Sequence, residues 1–485
     1  MPNISADRDN AEDTPIFTDF KMEKLNCIIN TSTVSTSANL NGVVLDFLRQ
    51  HEHLTGTKEG CREGDCGACT ILLGELRGDD VVYRSVNSCL LPLGDANGKH
   101  IVTIEGINQV HGLNPIQQAF VDDGGTQCGF CTPGFIMSLT GYCLNHKEIS
   151  AEEAMNAVDG NICRCTGHPP IKKAIRHFVE NAKNNFTVTI IPQYFENIPQ
   201  RLKELQSAIS SNGEVKKEVS FVVSGGTDLY VQKAFSMQFE TTQIISSRQQ
   251  TQTITENETH IIVSAATTVE EFRCSPITAK YFSALKKQLE LFGSTPIRNR
   301  ATIGGNIVNA SPIGDMTNIL MALNAELHFI DGETKRNLPL RKFYLGYKQL
   351  DKKKSELIEQ VTFLKPKPNT KFSFEKVSRR TYLDIASVNS SMVFELDGNM
   401  LNNVGISAGG VGPTPMYLSQ TSQFLNGKNM SEEILHEALN IAQTEISPIS
   451  DARGSSEYKR LLLRQLLAAH ILKFFSEVGT KQMFV

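Results

Sequence analysis

Residues 60–70 read GCREGDCGACT. Cys61, Cys66 and Cys69 stand at the spacing C-x4-C-x2-C, and Cys89 further along completes a set of four. This is the plant-type spacing for a [2Fe–2S] cluster. Four thiolates and two irons in one loop force the backbone to curl tightly, and Gly60, Gly64 and Gly67 supply that freedom. The N–H groups of such a loop can bond the cluster sulfurs and tune their potential. The competing reading is a structural zinc site. Zinc usually takes two short C-x2–4-C knuckles, whereas here one loop holds three ligands and the fourth stands alone.

A second group follows. Cys128 and Cys131 form C-x2-C in QCGFCTPG, and Cys163 and Cys165 form C-x-C in GNICRCTGH. The first pair precedes Pro133 at a helix start, and the second precedes a helix opened by Pro170. Two helix ends facing each other would gather the four sulfurs, and helix N-termini favour negative thiolates. On spacing alone, zinc is a fair alternative for this group.

Around these groups the chain has 485 residues, enough for about three domains. Its net charge of −4 on a balanced background carries no nucleic-acid footprint. No apolar run reaches the ~20 residues that span a bilayer. The polar start lacks a signal-peptide pattern, so a reducing, cytoplasmic location is the expectation. There, cysteines bind metal or do redox work more often than they form disulfides. Of the eleven cysteines, Cys27, Cys143 and Cys274 stand apart and read as small buried hydrophobes. Residues 24–30 and 100–104 read as strands, and Pro115, Ser150 and Pro170 as helix starts. Residues 190–209 read as part strand and part amphipathic helix. The lysine run Lys352–Lys354 reads as a solvated turn.

Two Gly-Gly turns follow, VVSGGTD at Val222–Asp228 and ATIGGN at Ala301–Asn306. Consecutive N–H groups in such a turn can cradle a phosphate, although most Gly-Gly pairs are plain tight turns. Neither fits G-x-G-x-x-G, so a Rossmann unit is not implied.

The segment GCREGDCGACT resembles the ferredoxin-like domain of the xanthine oxidase and aldehyde oxidase family, the molybdenum hydroxylases. QCGFCTPG and NICRCTG resemble that family's second, all-helical [2Fe–2S] domain. SGGTDL, IRNRATIGGNIVNASPIGD, EKVSRRTYLDIASVN, SAGGVGPTP and SPISDARGSSEYKR resemble its FAD-binding region. The chain departs from common family forms at His168, Pro169 and Pro296.

The resemblance implies a multidomain α+β chain. A flexible extension (1–23) precedes a β-grasp ferredoxin-like domain (24–105) and a four-helix-type [2Fe–2S] domain (106–182). A linker (183–215), a PCMH-type FAD-binding α+β domain (216–368) and a C-terminal α+β domain (369–485) follow. It implies that Cys61, Cys66, Cys69 and Cys89 hold one cluster, and Cys128, Cys131, Cys163 and Cys165 the other. Val223, Ser224, Gly225, Gly226, Thr227 and Asp228 would hold the FAD pyrophosphate region. Thr302, Gly304, Gly305 and Asn306 would form a second clamp, with Ser311 and Asp315 on the ribityl and phosphate side. Lys376 would lie beside the flavin, unless it forms a structural ion pair with Asp384. Phe292 would stack on the ring, or simply fill the core. Gln127 would approach a partner's pterin, or make only local bonds.

The domain order is similar to the small subunits of bacterial xanthine dehydrogenases. That implies electron transfer with no catalytic acid or base on this chain. Electrons would come from molybdenum–pterin in a large partner subunit, pass through two [2Fe–2S] clusters to FAD, and leave on NAD. The assembly would be a heterodimer or a dimer of heterodimers. The alternatives are the same role in an aldehyde, carbon monoxide or N-heterocycle oxidoreductase, a stand-alone iron–sulfur flavin reductase, or a structural zinc protein.

Overall fold

Leu25–Ile29 is apolar at every position but Asn26, as a central strand covered on both faces requires. It pairs antiparallel with Ser32–Thr36 and parallel with His100–Val102. His100–Val102 pairs in turn with Thr70–Arg77, which forms a hairpin with Asp80–Asn87. The computed structural model describes residues 24–182, 187–209, 220–245 and 253–478. The extension expected over 1–23 lies outside them. The mixed five-stranded sheet buries Ile71 and Leu73 against Val44 and Phe47 on one face. On the other face, Leu72 and Val102 meet a helical layer.

That layer holds four helices, Pro115–Asp122, Thr132–Leu144, Ala151–Ala157 and Pro169–Asn181. Thr132–Leu144 is apolar on nearly every side because it lies between the sheet and the other helices. Gly141 makes the close approach possible: a Cβ there would stand 2.8 Å from Leu72 Cδ2.

The stretch 183–215, expected as a linker and read partly as strand, is helical where it is described. Thr187–Ile190 is followed by Ile198–Ile209. Ile198, Leu202 and Leu205 recur at helical spacing, and the first two are buried against Ile28 of the first sheet. Burying two such side chains gains about 1.5–3 kcal/mol each, enough to bind this segment to the first domain.

The next region pairs Phe221–Val223 in parallel with Thr242–Ile244. An antiparallel sheet in the order Thr334–Pro339, Glu326–Asp331, Leu357–Leu364, His260–Ser264, Ile254–Glu256 follows, packed against helix Asp315–Ala322. The last region is an antiparallel sheet of Thr370–Val377, Val388–Asp397, Met400–Gly409 and Met416–Tyr417. Helices Glu432–Glu445 and Ser456–Leu472 cover it. No helix among the described residues is long and apolar enough to cross a membrane.

Candidate electron-transfer site

The loop before Thr70–Arg77 draws the first cysteines together. Gly64 and Gly67 have φ of +79° and +67°, a region that costs other L-residues about 1–2 kcal/mol. The four sulfurs approach in two pairs. Cys61 and Cys66 hydrogen-bond each other, and Cys69 Sγ lies 3.3 Å from Cys89 Sγ. The backbone N–H of Glu63 points at Cys61 Sγ, 3.3 Å away. The bond from Cys66 holds the Cys61 thiol down to about 5, while Cys66 is pushed up. Ser88 fixes the second pair by donating its hydroxyl to the Cys69 carbonyl at 2.8 Å.

The second group is paired too. Cys131 is the residue before helix Thr132–Leu144, and Cys128 Sγ lies 3.5 Å from Cys165 Sγ. Cys131 and Cys163 share a hydrogen bond. Thr166 donates its hydroxyl to Cys163 Sγ at 3.1 Å, and the Cys163 N–H donates to His168 Nε2 at 3.2 Å. His168 takes a left-handed backbone, φ +74°, which turns the chain into helix Pro169–Asn181. Cys128 and Cys165 are exposed, as are Gln127, Phe130 and Ile162 beside them.

The pairing bears on what the sulfurs can hold. Two pairs of sulfurs suit two irons with two thiolates each.

One short segment joins the two groups. The N–H of Ile162, the residue before Cys163, donates to the Cys66 carbonyl at 3.1 Å. Asn161 Nδ2 donates to the Gly67 carbonyl at 3.1 Å, and Asn161 Oδ1 accepts from Ser138 Oγ at 2.7 Å. Two residues earlier, Asp159 reaches the third region through Arg298 and the N–H of Thr295. Asp159 carries no motif signal, and although Asn161 stands in the NICRCTG segment, its partners Gly67 and Ser138 are distant in sequence.

The structure brings the two Gly-Gly turns together. Arg300 donates to the carbonyls of Ser224 and Gly225, at 3.4 and 3.1 Å. A Cβ on Gly225 would stand 2.0 Å from the Arg300 carbonyl oxygen, and Gly226 has φ +76°. Val223 is buried in the strand that enters the turn, and Thr227 and Asp228 are half-buried at its exit. Thr302 caps helix Ile303–Asn309 by accepting from the Gly305 N–H at 3.1 Å. Gly304 lies against Ala265, and Gly305 is exposed. Asn306 Oδ1 accepts from the Thr317 N–H at 3.1 Å, and Ser311 lies in the connection between the two helices. A cavity lies between Ser224, Thr302 and the first sheet's Glu75 and Arg84. The glycines fit close approach of a phosphate on the outer side of the turns.

Lys376 does not pair with Asp384, which binds the N–H of Arg380. Its ammonium, 2% exposed, lies 2.7 Å from Asp315 Oδ2 and donates to the Leu291 carbonyl. Asp315 also accepts from Asn389, so both residues are engaged with protein groups. Phe292 packs half-buried against the central core.

Four family models match in succession. They are a 2Fe-2S iron-sulfur cluster binding domain at 27–93 and a [2Fe-2S] binding domain at 103–176. An FAD binding domain in molybdopterin dehydrogenase matches 194–366, and a CO dehydrogenase flavoprotein C-terminal domain matches 372–474. Together they support the resemblance to the molybdenum hydroxylases. The chain carries two [2Fe–2S]-binding domains and an FAD-binding domain. It is 28% identical to xanthine dehydrogenase 1 of Arabidopsis thaliana over 519 residues, which is 89% of this chain and 38% of that protein. It is 28% identical to aldehyde oxidase 1 of Macaca fascicularis over 511 residues, 90% of this chain and 38% of that one. The chain thus spans about two-fifths of these relatives. In fold it is similar to a carbon monoxide dehydrogenase chain from Hydrogenophaga pseudoflava, with a TM-score of 0.50 and 22% identity over 53% of this chain and 90% of that one.

Proposed function

We propose that this chain is the electron-transfer part of a molybdenum hydroxylase, and that the enzyme is a cytoplasmic xanthine dehydrogenase. Cys61, Cys66, Cys69 and Cys89 hold one [2Fe–2S] cluster, and Cys128, Cys131, Cys163 and Cys165 the other. Ser224–Asp228, Thr302, Gly304, Gly305 and Asn306 hold FAD. When bound, the clusters would carry electrons one at a time from a molybdenum–pterin centre in a large partner subunit, and FAD would collect two of them with a proton and supply hydride to NAD. The residues of this chain space and tune the cofactors.

The observation that carries the reading is the hydrogen bond from the Ile162 N–H to the Cys66 carbonyl. It ties the residue before Cys163 to a cysteine of the other group. Beyond it, Cys69 and Cys89 share an apolar cluster with Val223 and Tyr230, which flank the first Gly-Gly turn. The two cysteine groups and the FAD-binding region are thus contiguous. The exposed Gln127, Cys128, Phe130, Ile162 and Cys165 form the face offered to the molybdenum subunit in a heterodimer or a dimer of heterodimers.

A second reading, the same role in an aldehyde oxidoreductase, draws on the equal identity to aldehyde oxidase 1. The decisive experiment is analysis of the complex copurified from its source for iron, zinc, molybdenum and flavin, followed by assay with xanthine or an aldehyde and NAD. Four irons and one FAD per chain, molybdenum in the complex, and NAD reduction with xanthine support the first reading. Activity with the aldehyde alone selects the second. Zinc without iron or flavin overturns both.

A further inference from the structure

Asn87 ends the strand Asp80–Asn87, opposite Thr70 and two residues before Cys89. Asparagine is poorly suited to a strand, and this one is buried, 2% exposed. Its Nδ2 lies 3.9 Å from Cys69 Sγ. Its Oδ1, also buried, has no hydrogen-bond partner among the described residues. A buried amide with an unsatisfied oxygen carries a desolvation penalty that a leucine of similar size would avoid. The amide must turn its nitrogen to the sulfur, because a thiolate only accepts and the amide oxygen would repel it. The amide lies beside the glycine of the cysteine loop. A Cβ on Gly64 would stand 3.7 Å from Asn87 Oδ1 and 2.8 Å from the side chains of Leu90 and Ile297. The neighbouring Ser88 is already committed to the Cys69 carbonyl.

The geometry points to Asn87 as a positioning residue of the first cluster, whose amide N–H donates to Cys69 Sγ and raises the cluster's reduction potential. This rests on the reading that Cys61, Cys66, Cys69 and Cys89 hold that cluster. The reduced cluster carries one more negative charge than the oxidised one. A donor at a ligating sulfur therefore stabilises the reduced form more. Cys69 and Cys89 are also the pair that faces Val223 and Tyr230, so the donor acts on the side toward the FAD-binding region.

The test is a potentiometric titration of the full chain followed by electron paramagnetic resonance, in wild type, Asn87→Leu and Asn87→Asp. Two cluster signals in wild type secure the underlying reading, and a wild-type chain without iron defeats that reading rather than this one. The expected result is a lower midpoint potential for the first cluster in Asn87→Leu. A further drop is expected in Asn87→Asp, where an acceptor replaces the donor at the same shape. The second cluster's potential should stay fixed in both. Full iron content with an unchanged first potential in both variants overturns the proposal. Loss of the first cluster from both, with the second intact, also overturns it, because Asn87 would then serve only to fold the loop.

Discussion

Arg298 Nη2 lies 3.0 Å from Asp159 Oδ2, and the two side chains are 1% and 2% exposed. The pair crosses from the short helix Thr295–Arg298 of the FAD-binding region to the loop that leads into Cys163. The guanidinium also binds Glu270 at 2.9 Å and the carbonyls of Glu290 and Phe292. Removing one member of a buried ion pair costs about 3–5 kcal/mol, because the other charge stays buried without a partner. Arg298→Met leaves the buried Asp159 carboxylate without its charge partner and takes one of two arginines from Glu270, which keeps Arg273 at 2.6 Å, so it should lower the thermal unfolding midpoint of the full chain well below that of Asp159→Asn, which keeps a hydrogen-bonding side chain. Equal midpoints for the two variants would contradict this joint. Arg298→Lys should recover part of the loss, since it restores the charge without the fork.

The sulfur pairing makes a prediction about iron stoichiometry. Cys163 shares a bond with Cys131 in one of two pairs, so Cys163→Ser should remove the second cluster and leave two of four irons, read by iron analysis. Cys143→Ala should keep all four. Cys143 is buried in the helical core, and burial pushes its thiol up, which suits a small apolar residue and not a ligand. Full iron in Cys163→Ser would show the second group to be misassigned.

The approach of the two Gly-Gly turns bears on flavin. Gly225→Val would drive a side chain into the Arg300 carbonyl, 2.0 Å from the new Cβ, and part the two turns. Iron should remain while the flavin-to-iron ratio falls, measured from the visible spectrum and metal analysis. Full flavin in this variant would place the phosphate loop elsewhere.

Local chemistry decided what could be read from the chain. The C-x4-C-x2-C loop, the Gly-Gly turns and the proline-led helices each need particular residues at short spacing, so their signals survive without a structure. Helix Ile198–Ile209 was harder. Its apolar stripe is narrow, and it gains its place only by burying Ile198 and Leu202 on a sheet whose Ile28 lies 170 positions before Ile198. Lys376 shows the same limit. A resemblance sets it beside the flavin, but its partner Asp315 is 61 positions away and becomes evident only when sheet and helix pack. Polar groups that meet across domains, such as Asp159 with Arg298 or Asn161 with Gly67, leave no periodic trace at all.

Two buried histidines contribute to the response to acid above the carboxylate range. His100 accepts a hydrogen bond at Nδ1 from the Tyr83 hydroxyl (2.8 Å) and donates from Nε2 to the Asn30 carbonyl (2.9 Å), as a neutral ring can. His470 lies in the core of the last domain, 2.8 Å from Ser390 Oγ. Burial pushes each ring down, to about 3, from an ordinary value of 6.5. A base whose folded pKa is depressed contributes its full stability above the unfolded pKa. Between pH 6.5 and 3 the unfolded chain binds protons that the folded chain refuses, so stability falls on acidification. The limiting slope is about 1.4 kcal/mol per pH unit for each histidine. His100→Gln should flatten this slope for the ferredoxin-like domain while leaving that of the C-terminal domain, and His470→Gln should do the reverse. Urea unfolding at several pH values between 4 and 7, followed by cluster absorbance for the first domain and by hydrogen exchange for the last, separates the two. An unaltered slope in both variants would mean that other groups govern the acid response.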